Sequence, residues 1–145
     1  MKLKVQIDSA FQEEMLQIQA PSRTPKVQQV VEFVESLDDN QRLKGKKDGE
    51  AYLIKTNAIS RIYIENRQVL AETIQGEYHL GLRLYQVLEK LPSYFIKISQ
   101  SEIVNLKEIE RFNIIPNGLV EIHLKNKETT YSSRRYLKAI KEKLQ

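Results

Sequence analysis

Phe95-Ile96-Lys97-Ile98-Ser99-Gln100-Ser101-Glu102-Ile103-Val104-Asn105-Leu106 runs a strand into a polar turn and out into a second apolar run. Phe95 to Ile98 is made of residues that suit a pleated, half-buried surface. Ser99-Gln100-Ser101 interrupts it with polar side chains. Glu102 to Ile109 then resumes as a strand or a helical turn, and the Asn105 side chain is of the kind that bonds nearby backbone. A chain built on such segments is mainly β.

Short strands continue on both sides. Upstream lie Ala51 to Lys55, Ile59 to Glu65 and Val69 to Ile74, with Asn66-Arg67-Gln68 between the last two, then Gly76 and Tyr78-His79-Leu80. Leu84, Val87, Leu88 and Leu91 mark a short amphipathic helix that Pro92 ends. Downstream, Arg111 to Ile115 and Leu119 to Leu124 flank Pro116-Asn117-Gly118, a hairpin signal. Thr129 to Tyr131 is a further strand, and a last helix turns Tyr136, Leu137, Ile140 and Leu144 inward. Tyr52, Phe95, Phe112 and Tyr136 fall at inward positions and are expected in the core.

The first part of the chain reads differently. Leu3, Val5 and Ile7 alternate with polar residues and are expected as a short strand, with Gln17 to Ala20 as a possible second. Thr24 caps and Pro25 starts a helix whose Val27, Val30, Val31, Val34 and Leu37 share one face, and Asp38-Asp39-Asn40 ends it. Lys44-Gly45-Lys46-Lys47-Asp48-Gly49 reads as a linker or turn. The expected division is a small α+β extension at 1–43 and a β-rich domain with short helices at 44–145. The Val-rich face needs cover, from its own chain, a second copy or another protein.

The charge is divided in the same way. The net value is +4, but residues 1–43 carry five Lys/Arg against seven Asp/Glu, so the excess of cations lies in the larger domain. That asymmetry points a polyanion toward the C-terminal part. No apolar run is long enough for a membrane-spanning helix and the N-terminus lacks a signal-peptide core, so the cytoplasm is the expected compartment. With 0 cysteines there are no disulfides or thiolate metal sites. No phosphate loop, dinucleotide turn or His-Glu-x-x-His is present, and His79 and His123 sit in strand patterns without ligand partners. Neither catalysis nor a cofactor is expected.

The Phe95 to Leu106 segment, followed by Ile109, resembles the signature of the LytTR family of bacterial DNA-binding domains. A second family mark stands at Tyr131-Ser132-Ser133-Arg134-Arg135-Tyr136-Leu137, where a strand enters the last helix through a Ser-Arg-rich turn. The hairpin at Asn117-Gly118 lies between them, and the resemblance extends from about Lys44 onward. It implies a β-rich domain that places loops in the major groove of double-stranded DNA. On that reading Arg135, or its neighbour Arg134, forks onto guanine, and Gln100 pairs with adenine or takes a phosphate. Ser99 and Lys97 suit backbone oxygens, Asn66 and Arg67 lie in another contact loop, and Lys138 and Lys141 add phosphate contacts. Many family members carry His followed by Arg or Asn where this chain has Ser99 and Gln100.

The chain is also similar to short regulators of that family which lack a receiver domain. In that group a neighbouring gene often encodes a small membrane protein that restrains the regulator. The resemblance implies a transcription regulator, a homodimer on direct repeats, with that membrane protein as a possible partner. The rival reading is a non-enzymatic adaptor whose basic charge is incidental. Steep salt dependence of duplex binding separates the two.

Overall fold

Thr24 and Pro25 open the first helix, α1 (Pro25–Leu37), as their chemistry requires. Thr24 Oγ1 accepts from the Val27 amide at 3.3 Å, and Pro25 has no amide to leave unsatisfied. Val27 is buried, and Val30, Val31 and Val34 are half-buried. The computed structural model describes residues 1–37 and 41–144, so the expected stop at Asp38-Asp39-Asn40 lies outside the described residues. The chain forms two units, 1–38 and 39–145.

In the first unit α1 is the only regular element among the described residues. The strands expected at Leu3 to Ile7 and at Gln17 to Ala20 do not form, and Leu3, Val5 and Ile7 are 87%, 68% and 92% exposed. Alternation makes a segment able to pair, but an isolated strand has no ladder to stabilise it.

The second unit is β-rich, as the period-two runs require. In chain order it contains β1 (Arg42–Lys47), β2 (Glu50–Lys55), β3 (Ile59–Glu65), β4 (Gln68–Thr73), β5 (Gly76–His79), α2 (Leu84–Lys90), β6 (Phe95–Ser99), β7 (Glu102–Asn105), β8 (Ile109–Ile114), β9 (Val120–Leu124), β10 (Thr129–Ser132) and α3 (Leu137–Leu144). Seven strands form one antiparallel sheet in the order β2-β1-β5-β4-β3-β7-β6, and three form another in the order β10-β9-β8. The expected linker at Lys44 to Gly49 is instead β1 and a tight turn. Gly45 is there for proximity rather than flexibility: a Cβ on it would stand 2.6 Å from Ile54 Cδ1 and 3.0 Å from Tyr78 Cβ.

Two apolar cores result. One gathers Leu43, Ile54, Ile59, Ile62, Val69, Ala71, Tyr78, Phe95 and Ile103 with Leu84 and Val87 of α2. The other gathers Ile96, Ile98, Val104, Val120, Ile122 and Leu124 with Ile140 of α3. Strands β6 and β7 contribute to both, so every residue of β7 is buried. Phe95 is in the core as expected and Tyr136 packs on the second one. Tyr52 and Phe112 are not: they are 40% and 39% exposed, on β2 and β8, edge strands with a neighbour on one side only.

Candidate nucleic-acid interface

Three turns are joined by main-chain hydrogen bonds. The β6–β7 turn is short, with Ser101 N donating to Ser99 Oγ at 3.3 Å, and the register slips by one residue between Lys97 and Ser99. On one side, the Ile64 amide at the end of β3 donates to the Ser101 carbonyl at 3.0 Å. That bond brings up the two-residue β3–β4 turn, Asn66-Arg67, closed by the Glu65–Gln68 pair. On the other side, the Ser133 amide donates to the Ile98 carbonyl at 3.0 Å, which fastens the entry to α3 beside the end of β6. Across this surface the order is therefore Asn66-Arg67, then Ser99 to Ser101, then Ser133 to Arg135.

The turns present the residues that the sequence singles out. Gln100, Arg134, Arg135, Asn66, Arg67 and Lys138 are exposed, and Ser99 and Lys97 are half-buried. Lys97 Nζ lies 6.0 Å from the centre of the Tyr136 ring, which places that cation beside the Ser133 turn. Arg134 Nε donates to the Asn117 carbonyl at 2.6 Å, so Arg134 reaches the β8–β9 hairpin. Glu110 is 3.8 Å from Lys127 Nζ. Asn66 and Arg67 have φ of 51° and 64°, the left-handed pair that a two-residue hairpin turn with the twist of its strands demands.

Beneath the turns a polar network joins the sheets. Arg61 on β3 pairs with Glu72 on β4 and lies 3.2 Å from Glu102 on β7, and Thr130 on β10 donates its hydroxyl to Glu102. Burial raises the Glu102 pKa above its ordinary 4.5, against the opposing pull of the Thr130 hydroxyl and the Arg61 charge. Burial pulls the Arg61 pKa down, but bonding to Glu72 and the two carboxylate charges outweigh it and raise it. Asn105 is fully buried as a structural residue: its Nδ2 donates to the Ile59 carbonyl at 2.9 Å and its Oδ1 accepts from the Lys107 amide at 2.9 Å.

The sequence reading missed the Arg61 network, though a signal for it exists. Once a two-residue turn follows Glu65, counting back along both strands sets Arg61 opposite Glu72. No comparable signal brings in Glu102 or Thr130, which arrive by long-range pairing. His79 is exposed, and His123 lies between Thr129, whose Oγ1 is 3.2 Å from its Nδ1, and the Glu121 carboxylate beside its Nε2. Among the described residues no group of three or more His, Cys, Asp or Glu could hold a metal, and no helix is long and apolar enough to cross a membrane.

Comparison with known proteins agrees with this architecture. Residues 49–145 match the LytTr DNA-binding domain family. A protein of Staphylococcus aureus (strain NCTC 8325 / PS 47) named as an HTH-type transcriptional regulator is 41% identical over 144 residues, covering 99% of this chain and 98% of its own. Its counterpart in strain MRSA252 is 40% identical over the same length and shares. A LytTr DNA-binding domain from Bacillus cereus superposes with a TM-score of 0.69 at 15% identity, over 72% of this chain and 97% of that one. The words helix-turn-helix in the relatives' names find no counterpart among the described residues. Strands β6 to β10 separate α2 from α3, and α1 is followed by β1.

Proposed function

This chain belongs to the LytTr DNA-binding domain family, and we propose that it is a sequence-specific regulator of transcription that sets its three joined turns against double-stranded DNA. The family membership and the relatives named as transcriptional regulators support the general reading. The bond from Ser133 to Ile98 supports the finer one, because it lets Arg135 and Gln100 address a single duplex. Loops, not a recognition helix, enter the major groove. There the Arg135 guanidinium can fork onto guanine O6 and N7, and Gln100 can match adenine N6 and N7. Ser99, Lys97, Lys138 and Arg67 engage phosphates, which supply affinity without sequence preference.

Two copies bind direct repeats, in the cytoplasm, with residues 1–43 serving dimerisation or regulation. A small membrane protein that holds the regulator away from DNA is the proposed input, in place of phosphorylation. The Arg135→Ala variant tests the core of this reading. It is expected to lose about 1–3 kcal/mol on the preferred duplex, selected from random DNA and measured by fluorescence anisotropy, and less on unrelated duplex. Equal loss on both would reduce Arg135 to a phosphate contact. Absence of duplex binding by the unaltered chain at low salt would leave the adaptor reading.

A further inference from the structure

The Asn66-Arg67 turn also borders an open cleft of about 800 Å³ that none of the joined turns explains. Its walls bring Lys46 and Lys47 of β1, Arg67, His79 and Arg83 together from four separate parts of the fold, against one carboxylate, Asp48. Lys47 is occupied: its ammonium donates to the Gln75 carbonyl and lies 5.4 Å from the centre of the Tyr78 ring. The side chains of Lys46, Arg67, His79 and Arg83 are exposed, and none of them is in an ion pair among the described residues. Four cations, Lys46, Lys47, Arg67 and Arg83, facing one carboxylate leave a net positive field, and a concave surface focuses it on a counter-ion.

We propose that this cleft is a second nucleic-acid contact, which takes the phosphodiester backbone of the duplex beyond the stretch read by the turns. The inference rests on the DNA-binding reading above. Arg67 belongs to both surfaces, so a backbone lying on the Asn66-Arg67 turn continues onto Lys46 and Arg83. The basic side chains suit phosphates, and of the two lining carboxamides Gln86 is engaged by the Arg83 amide at 3.0 Å, so the cleft adds affinity more than preference. Asp48 opposes it, at the tip of the β1–β2 turn with φ of 52°.

The experiment measures duplex affinity across a salt series for the full chain, its Lys46→Gln/Arg83→Gln double variant and its Asp48→Asn variant. Each lost phosphate contact removes about 0.9 from the slope of log affinity on log salt, so the double variant is expected to flatten it by about 2. Its ratio of preferred to unrelated duplex stays unchanged. Asp48→Asn, which keeps a side chain tolerant of positive φ, is expected to tighten binding several-fold, a gain that misfolding cannot produce. On a duplex cut short so that it ends at the turns, all three proteins bind alike.

An unaltered slope in a double variant that melts like the parent overturns the proposal and leaves the turns as the whole interface. Stabilisation by inorganic phosphate alone at constant ionic strength, lost in the double variant while the duplex slope is unchanged, also overturns it and assigns the cleft to a free anion. A parent chain that binds no duplex overturns the DNA-binding reading itself, and the cleft's role falls with it.

Discussion

Arg134 Nε donates to the Asn117 carbonyl at 2.6 Å, which ties the first arginine of the Ser-Arg turn to the tip of the β8–β9 hairpin. Gly118 is part of the same arrangement. Its φ is +83°, and a Cβ on it would stand 3.1 Å from that Nε. No such bond holds the Arg135 side chain among the described residues, so of two adjacent arginines one is anchored and the other stands exposed.

Arg134→Ala is therefore expected to act on the hairpin tip. Loss of one hydrogen bond from a charged donor costs about 1 kcal/mol at an exposed site. The amides of Ile115 and Gly118, which close the tip at 3.0 and 2.9 Å, should exchange faster with solvent deuterium. Unchanged exchange there would remove the anchoring role.

Arg67→Gly should move stability and DNA affinity in opposite directions. A non-glycine residue in the left-handed region costs about 1–2 kcal/mol, partly offset by the greater freedom glycine brings to the unfolded chain. A net gain of about 0.5 kcal/mol is expected in thermal melting, with weaker duplex binding. A lower melting temperature would mean that the arginine side chain itself supports the turn.

Asn105→Ala removes one partner from each of two bonds, a buried one to β3 and a part-buried one to the turn after β7. The Ile59 carbonyl and the Lys107 amide are then left without side-chain partners, and a loss of about 2–4 kcal/mol is expected in urea denaturation. A loss under about 1 kcal/mol would show that backbone rearrangement replaces the bonds.

Glu102 supplies a pH dependence. Burial raises its folded-state pKa above the ordinary 4.5, so the folded chain holds this proton more tightly than the unfolded chain does. The contribution is most favourable below the unfolded value, and it declines as pH rises through the raised folded value. Glu102→Gln does not titrate and can still accept from Thr130. Relative to the parent, its stability should improve as pH is raised from the acidic side of this window toward neutrality. Denaturation curves at several pH values decide it, and a constant difference would mean that Glu102 ionises without penalty.

Much of this fold is legible in the residues themselves because strand and helix periods are local properties. The β6–β7 segment, the Asn117-Gly118 hairpin, the Thr24-Pro25 helix start and the structural part played by Asn105 all follow from short-range chemistry. What local reading misses depends on distant neighbours. Gly45 looks like linker punctuation until Ile54 and Tyr78 are seen to crowd it. Tyr52 and Phe112 have inward periods, but their place on edge strands is set by long-range pairing. Leu3, Val5 and Ile7 fail for the same reason. The positions of Lys46 and Arg83 around one cleft depend on chain crossings that no periodicity encodes.

The fastenings between the turns are peptide groups: Ser133 to Ile98 and Ile64 to Ser101. Peptide groups are common to almost every residue type, so such a joint tolerates exchange of the side chains mounted on it. On the proposed reading, substitution at Gln100 or Arg135 changes the target preference while the peptide joints keep the face aligned. Ser99 and Gln100 would, on that reading, be words that can be exchanged on an unchanged frame.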